Sequence, residues 1–185
     1  MSTRVPSIAV PPAASAADGA AAIRPARPAD RQPLLDMLAR CSTQSRLQRF
    51  HGFLRSYPEP YFTGALAGTA EHVALVAEVA GTVVALASCI TVAPSAADIA
   101  VLVEDASQRQ GIGTGLLAAL VGHARSAGLA TLNATLLAEQ GWILRVLRRY
   151  GRVTARVSLG VYEASVFLGP PTARAPVVGA PMVGD

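Results

Sequence analysis

The residues whose spacing could do chemistry lie in one run, Gln108-Arg109-Gln110-Gly111-Ile112-Gly113-Thr114-Gly115, directly after the apolar segment Val101-Leu102-Val103. A helix opening at Gly111 leaves its first backbone N–H groups without intrahelical acceptors, and glycines let an anion approach them free of Cβ interference. The run therefore reads as an anion site at a strand-to-helix turn. It is not a P-loop, because nothing spells G-x-x-x-x-G-K-[ST] and the chain has no lysine to meet a phosphate. It is not a dinucleotide fingerprint either: counted from Gly111 and Gly113, the third glycine position holds Leu116, and the loop before Gly111 is too long. His51, His72 and His123 show no metal-ligand pattern and are assigned no chemistry, so no metal is expected. Cys41 and Cys89 stand far apart, and we read them as reduced, buried thiols of a cytoplasmic protein.

Composition bounds what can surround such a site. The chain of 185 residues is 51% hydrophobic and 15% charged, which suits one globular domain with a real core. Residues 1–20 read as a disordered Ala/Pro-rich tail, 21–168 as the folded domain and 169–185 as a Pro-rich C-terminal tail. All 16 basic residues are arginine, a bias that with the abundant alanine resembles a GC-rich bacterial genome. A net charge of +4 suits an anionic cofactor but falls short of a nucleic-acid-binding surface. The apolar run from Val73 to Val92 is interrupted by Glu78 and Gly81, so a strand-turn-strand reading displaces a membrane span.

The elements that must hold the anion site follow from periodicity. A short strand near Ile23 and Arg24 precedes a helix with Asp30 as N-cap, Pro33 in its first turn and Leu34, Leu35, Met37, Leu38 and Cys41 on one face. Ser42 caps a second helix with Leu47, Phe50, Phe53 and Leu54 inward and Arg46, Arg49, His51 and Arg55 outward, ended by Tyr57-Pro-Glu-Pro-Tyr61. Strands over 72–79, 82–92 and 98–103 lead into the glycine run, and a helix from Gly111 carries Leu116, Leu117, Leu120, Val121 and Ala124 to a stop at Gly128. The next strand alternates Ala130, Leu132, Ala134 and Leu136 with Thr131, Asn133 and Thr135, giving two chemically distinct faces. A last helix is expected to bury Trp142, Ile143, Val146, Leu147 and Tyr150, with Arg145, Arg148, Arg149 and Arg152 as a solvated stripe. Strands 153–157 and 161–168 close the domain. The class is mixed α/β.

Gln108-Arg-Gln-Gly111-Ile-Gly113 matches the [QR]-x-x-G-x-[GA] signature, and with this element order across residues 21–168 the chain resembles the GCN5-related N-acetyltransferase (GNAT) superfamily. The segments Cys41-Ser-Thr-Gln-Ser45, Arg49-Phe50 and His72-Val-Ala-Leu-Val-Ala77 are similar to bacterial protein-lysine acetyltransferase domains. The resemblance implies the GNAT fold, a mixed and mostly antiparallel sheet with a splayed central strand pair and helices on both faces. It further implies that acetyl-CoA is the acyl donor. Main-chain groups of Val101, Leu102 and Val103 would pair with its pantetheine arm, and the loop Gln108 to Thr114 would receive its pyrophosphate, with Arg109 adding a charge-assisted contact.

The implied reaction is transfer of the acetyl group to a primary amine, of a protein lysine or a small molecule, by direct attack in a ternary complex. Asp98 stands where this family often has glutamate. Two roles stay open for it, a water-mediated base and an ordinary strand-start carboxylate. Gln140 stands where many relatives have asparagine, either reaching a cofactor amide or capping. Leu147 replaces the usual general-acid tyrosine, with Tyr150 one turn later. These departures keep a second reading in view, a catalytically weak acyl-CoA-binding regulatory module, and a third, a plain interaction domain. No nucleic-acid or membrane partner is expected, and a homodimer is left open.

Overall fold

Val/Ala-rich segments form a sheet whose two faces are both covered by helices. The computed structural model describes residues 21–50 and 59–169. The expected placements of His51, Phe53, Leu54 and Arg55, and both tails, lie outside the described residues apart from Gly169. The strands are β1 Ala22–Pro25, β2 His72–Val79, β3 Thr82–Ala93, β4 Ala96–Val103, β5 Thr131–Leu137, β6 Arg152–Ser158 and β7 Val161–Phe167. They form one seven-stranded sheet in the order β1-β2-β3-β4-β5-β7-β6. Every neighbouring pair is antiparallel except β4 with β5, which run parallel. Ala80 with Gly81, and Leu159 with Gly160, all have positive φ, the two-residue turn geometry that matches the twist of a β-hairpin.

The helices are α1 Arg31–Arg40, α2 Thr43–Phe50, α3 Glu59–Ala67, α4 Ile112–Ser126 and α5 Ile143–Leu147. On one face α1 and α3 set Leu34, Met37 and Phe62 against Val76, Leu86 and Leu102. On the other, α4 sets Leu116, Leu120 and Ala124 against Leu75, Ala87 and Leu132. At roughly 1.5–3 kcal/mol for each fully buried large side chain, these two layers are the principal favourable term of the fold.

Three expectations need correction. Helix α3 was not anticipated, because Pro58 and Pro60 read as terminators; Pro60 instead occupies the first turn of α3, where its missing N–H is harmless. Trp142 is 58% exposed, and Leu144, at 8%, takes the inward position. A 3-10 turn over Ala138–Gln140 precedes α5, so the phase counted from Trp142 does not hold through its five residues. Asp30 precedes α1 but makes no side-chain cap to it. Its carboxylate accepts the Arg27 N–H at 2.7 Å and both Arg24 guanidinium nitrogens at 2.7 Å, while Arg24 also pairs with Glu78 on β2.

Hydrogen bonds from Arg24 hold the Asp30 carboxyl below its ordinary range, more strongly than burial raises it. A depressed native pKa contributes stability above the unfolded value of about 3.9, and that contribution is lost as pH falls through the native value. Asp30→Asn should therefore destabilise the protein at pH 7 by about 1.5–3 kcal/mol, the range for hydrogen bonds to charged groups. Urea unfolding of both proteins should show the difference shrinking steadily below pH 4; a constant difference would mean that the charge of Asp30 is not what matters.

Candidate acyl-donor and acceptor site

Strand β4 pairs with β3 along its whole length, from Ala96–Ala93 to Val103–Ala85. It pairs with β5 only through Ala96–Thr131, Ala97–Leu132 and Asp98–Asn133. Beyond Asp98 the two strands part, although β5 keeps its pairing with β7 as far as Leu137. The edge of β4 from Ile99 to Val103 thus turns backbone N–H and C=O groups toward a gap with no strand in it. A cavity of about 1290 Å³ fills that gap, bordered by β4, β5 and the start of α4 on its floor and by α2 and α5 at its rim.

The loop from Val103 to α4 is shaped for an anion. Gly111 at φ 81° is the N-cap of α4 and supplies no side-chain cap, so the first N–H groups of the helix are left for another acceptor. Arg109 at φ 61° is one of three non-glycine residues with positive φ among the described residues, a conformation costing about 1–2 kcal/mol. A Cβ on Gly113 would meet Val103 and Val101 side chains at 3.6 and 4.0 Å, so its lack of a side chain widens the gap beside β4. Gly115 is different. A Cβ there would lie 3.1 Å from Ile23 Cδ1, so it serves packing.

Val101, Leu102, Val103, Gln108, Arg109, Gly111, Gly113, Thr114, Gln140 and Asp98 all line the cavity. Gln110 and Ile112 do not: the Gln110 amide donates to Ala106 O at 3.1 Å, and Ile112 is 6% exposed in the core. Gln108 is a brace as well as a lining residue, its amide donating to Val103 O and Ser45 Oγ, each at 3.1 Å. The Gln140 carbonyl accepts the Leu137 N–H at 3.1 Å, which is the capping half of its two expected roles. Asp98 stands at the vertex where the strands part. It accepts the Asn133 amide at 3.1 Å, and Asn133 in turn accepts the Ser165 hydroxyl at 3.0 Å. Leu147, 2% exposed, offers no proton at the position expected for a general acid.

The sequence reading missed the polar frame that seats α2. Asp105 accepts the Ser42 N–H and hydroxyl, both at 2.7 Å, and the Ser45 hydroxyl at 3.0 Å. Burial alone would raise the Asp105 carboxyl, but these hydrogen bonds outweigh it and hold it low. Beside it Glu104 pairs with Arg40 at 2.6 Å and accepts the Ser107 hydroxyl at 3.0 Å. Across the rim, Gln44 and Gln48 both donate to Glu139 in the 3-10 turn after β5. A pair of carboxylates closing an apolar strand was the available signal. Their partners lie some sixty residues away, beyond the reach of local pattern.

Comparison with known proteins follows the same geometry. A model of the Acetyltransferase (GNAT) family matches residues 34–142, more than half of the chain. Among solved structures, the GNAT domain of Streptomyces lividans PAT is similar at 24% identity, with a TM-score of 0.68 over 80% of this chain and 90% of that one. The protein yncA of Salmonella typhimurium, solved with its cofactor acetyl-CoA, is similar at 20% identity and a TM-score of 0.65, over 83% of this chain and 99% of that one. A cAMP-binding acyltransferase from Mycobacterium smegmatis is similar at 22% identity and a TM-score of 0.56, over 87% of this chain and 46% of that one. No curated protein sequence matches. With a glycine loop opening onto a splayed β4–β5 pair and a family match over most of that frame, the chain belongs to the GNAT acetyltransferase family.

Proposed function

We propose that the chain, through residues 21–168, moves an acetyl group from acetyl-CoA to a primary amine by direct attack while donor and acceptor are bound together. The observation that carries this reading is the continuity of the open β4 edge with the anion-binding loop: one path offers backbone partners for an amide-bearing arm and then for a pyrophosphate. The volume, about 1290 Å³, exceeds the roughly 300–1,000 Å³ of an ordinary small-molecule pocket and suits a long donor with an acceptor beside it. The solved yncA complex holds acetyl-CoA on the same fold.

Acetyl-CoA supplies a thioester, an acyl carbon bound to a good leaving group. The chain's own residues then have three tasks. Amides of Gln108 to Thr114 and the α4 N-terminus hold the pyrophosphate, with Arg109 adding charge. Main-chain groups of Val101, Leu102 and Val103 hold the arm so that its end lies near Asp98. Asp98, oriented by Asn133, removes a proton from the acceptor ammonium through water, because an amine with a pKa of about 10.4 is almost fully protonated at neutral pH. The N–C bond forms as the C–S bond breaks. With leucine at 147, the departing thiolate takes its proton from water.

The buried Leu147 and the short Asp98 favour one alternative, an acyl-CoA-binding regulatory module without useful turnover. Two measurements separate the readings. Acetyl-CoA at a hundredfold its Kd should stabilise the protein by about 2.7 kcal/mol in a thermal-shift titration, and no shift with acetyl-CoA, CoA or longer acyl-CoAs would contradict both. Thiol release with a panel of amines should then fall about a hundredfold or more in kcat/KM for Asp98→Asn at neutral pH, with the acetyl-CoA Kd unchanged. Binding without thiol release would favour the regulatory module, and an unaltered rate across the accessible pH range would remove Asp98 as the base.

A further inference from the structure

Opposite the donor half of the cavity, Arg49 is a lining charge that the proposed reaction leaves unused. Asp98 faces Ile90 across the β3–β4 pair, and Ser88, two residues along β3, shares their face of the sheet. Ser88 is 1% exposed and accepts the Tyr61 hydroxyl at 2.9 Å, which fixes the Tyr61 ring over this end of the cavity. Against that ring lies Arg49. Its guanidinium carbon is 4.7 Å from the centre of the Tyr61 ring and 4.7 Å from that of Phe50, and the two rings meet edge to face at 6.1 Å.

Arg49 is half-buried, lines the cavity and pairs with no carboxylate among the described residues. The other arginines that close on the sheet do pair: Arg24 with Asp30 and Glu78, Arg40 with Glu104. A guanidinium fixed against two rings, partly withdrawn from water and with no hydrogen-bond acceptor on its fork among the described residues, is arranged to receive a planar anion in two-pronged fashion. Burial first, and then the Arg49 charge, keep the neighbouring His72 toward its neutral form.

The cavity thus presents a carboxylate, Asp98, and a guanidinium with no carboxylate partner among the described residues, Arg49, together with Ser88 and Ile90. That pair of charges matches a small molecule with an ammonium and a carboxylate of its own. A lysine within a polypeptide brings a charged amine but only neutral amides behind it, and would leave Arg49 unpaired. The ties from Gln44 and Gln48 to Glu139 keep α2 drawn over the rim, which also favours a small acceptor. We propose that Arg49 determines acceptor specificity by binding a carboxylate, so that the acceptor is a free amino acid or a similar amino-carboxylate. This rests on the transferase reading above for the fate of the amine, but binding can be tested without turnover.

The test is calorimetry on the full chain saturated with CoA, titrated with a panel of free α- and ω-amino acids, each compared with its own amide. At least one acid should bind about tenfold or more tighter than its amide, the low end of a charge-assisted hydrogen bond. Arg49→Gln should abolish that preference and Arg49→Lys retain part of it, with the CoA Kd unchanged in both. Should Arg49→Gln fail to fold, the acid–amide comparison on the native chain decides alone. Equal binding of acids and amides, no binding of any acid at millimolar concentration, a preference that survives Arg49→Gln, or a parallel loss of CoA binding would each overturn the proposal. Thiol release keeps the two readings apart. An acid preference without release contradicts the transferase while leaving this site, and release with equal use of amides contradicts this site while leaving the transferase.

Discussion

The structure depends on a sheet that is allowed to come apart in the middle. After three parallel pairs ending at Asp98–Asn133, β4 and β5 separate, and the β4 backbone from Ile99 to Val103 is left with one side unpaired. An orphaned backbone group that is buried costs roughly 1–3 kcal/mol, so a gap of this kind persists only where water or a ligand fills it and the flanks are held independently. The flanks are so held. Strand β4 is paired throughout with β3, β5 with β7, and buried Ala97 and Leu132 close the vertex between them. The rest of the molecule keeps those two half-sheets in place.

Two helical layers divide the gap into chemically different halves. On the α4 face, Val101 and Val103 and the uncapped helix start offer apolar walls and free amides, a combination suited to a long polar arm ending in phosphate. On the α1–α3 face lie the polar positions of the alternating strands: Asp98, Asn133, Ser165 and Ser88, with Tyr61 and Arg49 above them. A parallel pair that ends at Asp98 therefore puts the junction of the two halves at a carboxylate held by the Asn133 amide. The carboxylates Glu104 and Asp105, at the point where β4 becomes loop, connect the halves by seating α1 and α2 through Arg40, Ser42 and Ser45.

Much of this was legible from local sequence because the signals are local. Period-two alternation marked β5 and its polar face, the apolar run with Gly81 marked the β2–β3 hairpin, and Gly111 and Gly128 marked both ends of α4. The features that escaped are those in which a residue answers to something distant. Asp30 resembles a cap for the helix it precedes, yet Arg24 and the neighbouring 3-10 turn claim its carboxylate. Helix α3 has no clean apolar stripe, since Gly64 must stay small to admit His72, whose Nδ1 would lie 2.5 Å from a Cβ there. Arg49 read as part of the polar side of α2, where the resemblance puts the cover of the acceptor site, but its packing was not legible because its two aromatic neighbours, one of them on the unanticipated α3, come together only in the folded chain.

The central claim is that the split β4 edge and the loop after it form one continuous backbone receptor for an acyl-CoA. Hydrogen–deuterium exchange with and without CoA reads that receptor directly, since the groups concerned are amides. The account predicts new protection in two stretches, the gap-facing amides within residues 99–103 and those of residues 109–114, with little change in β2 or β6. Protection confined to the loop would reduce the site to a phosphate cradle without the strand, and binding that protects neither stretch would contradict the account.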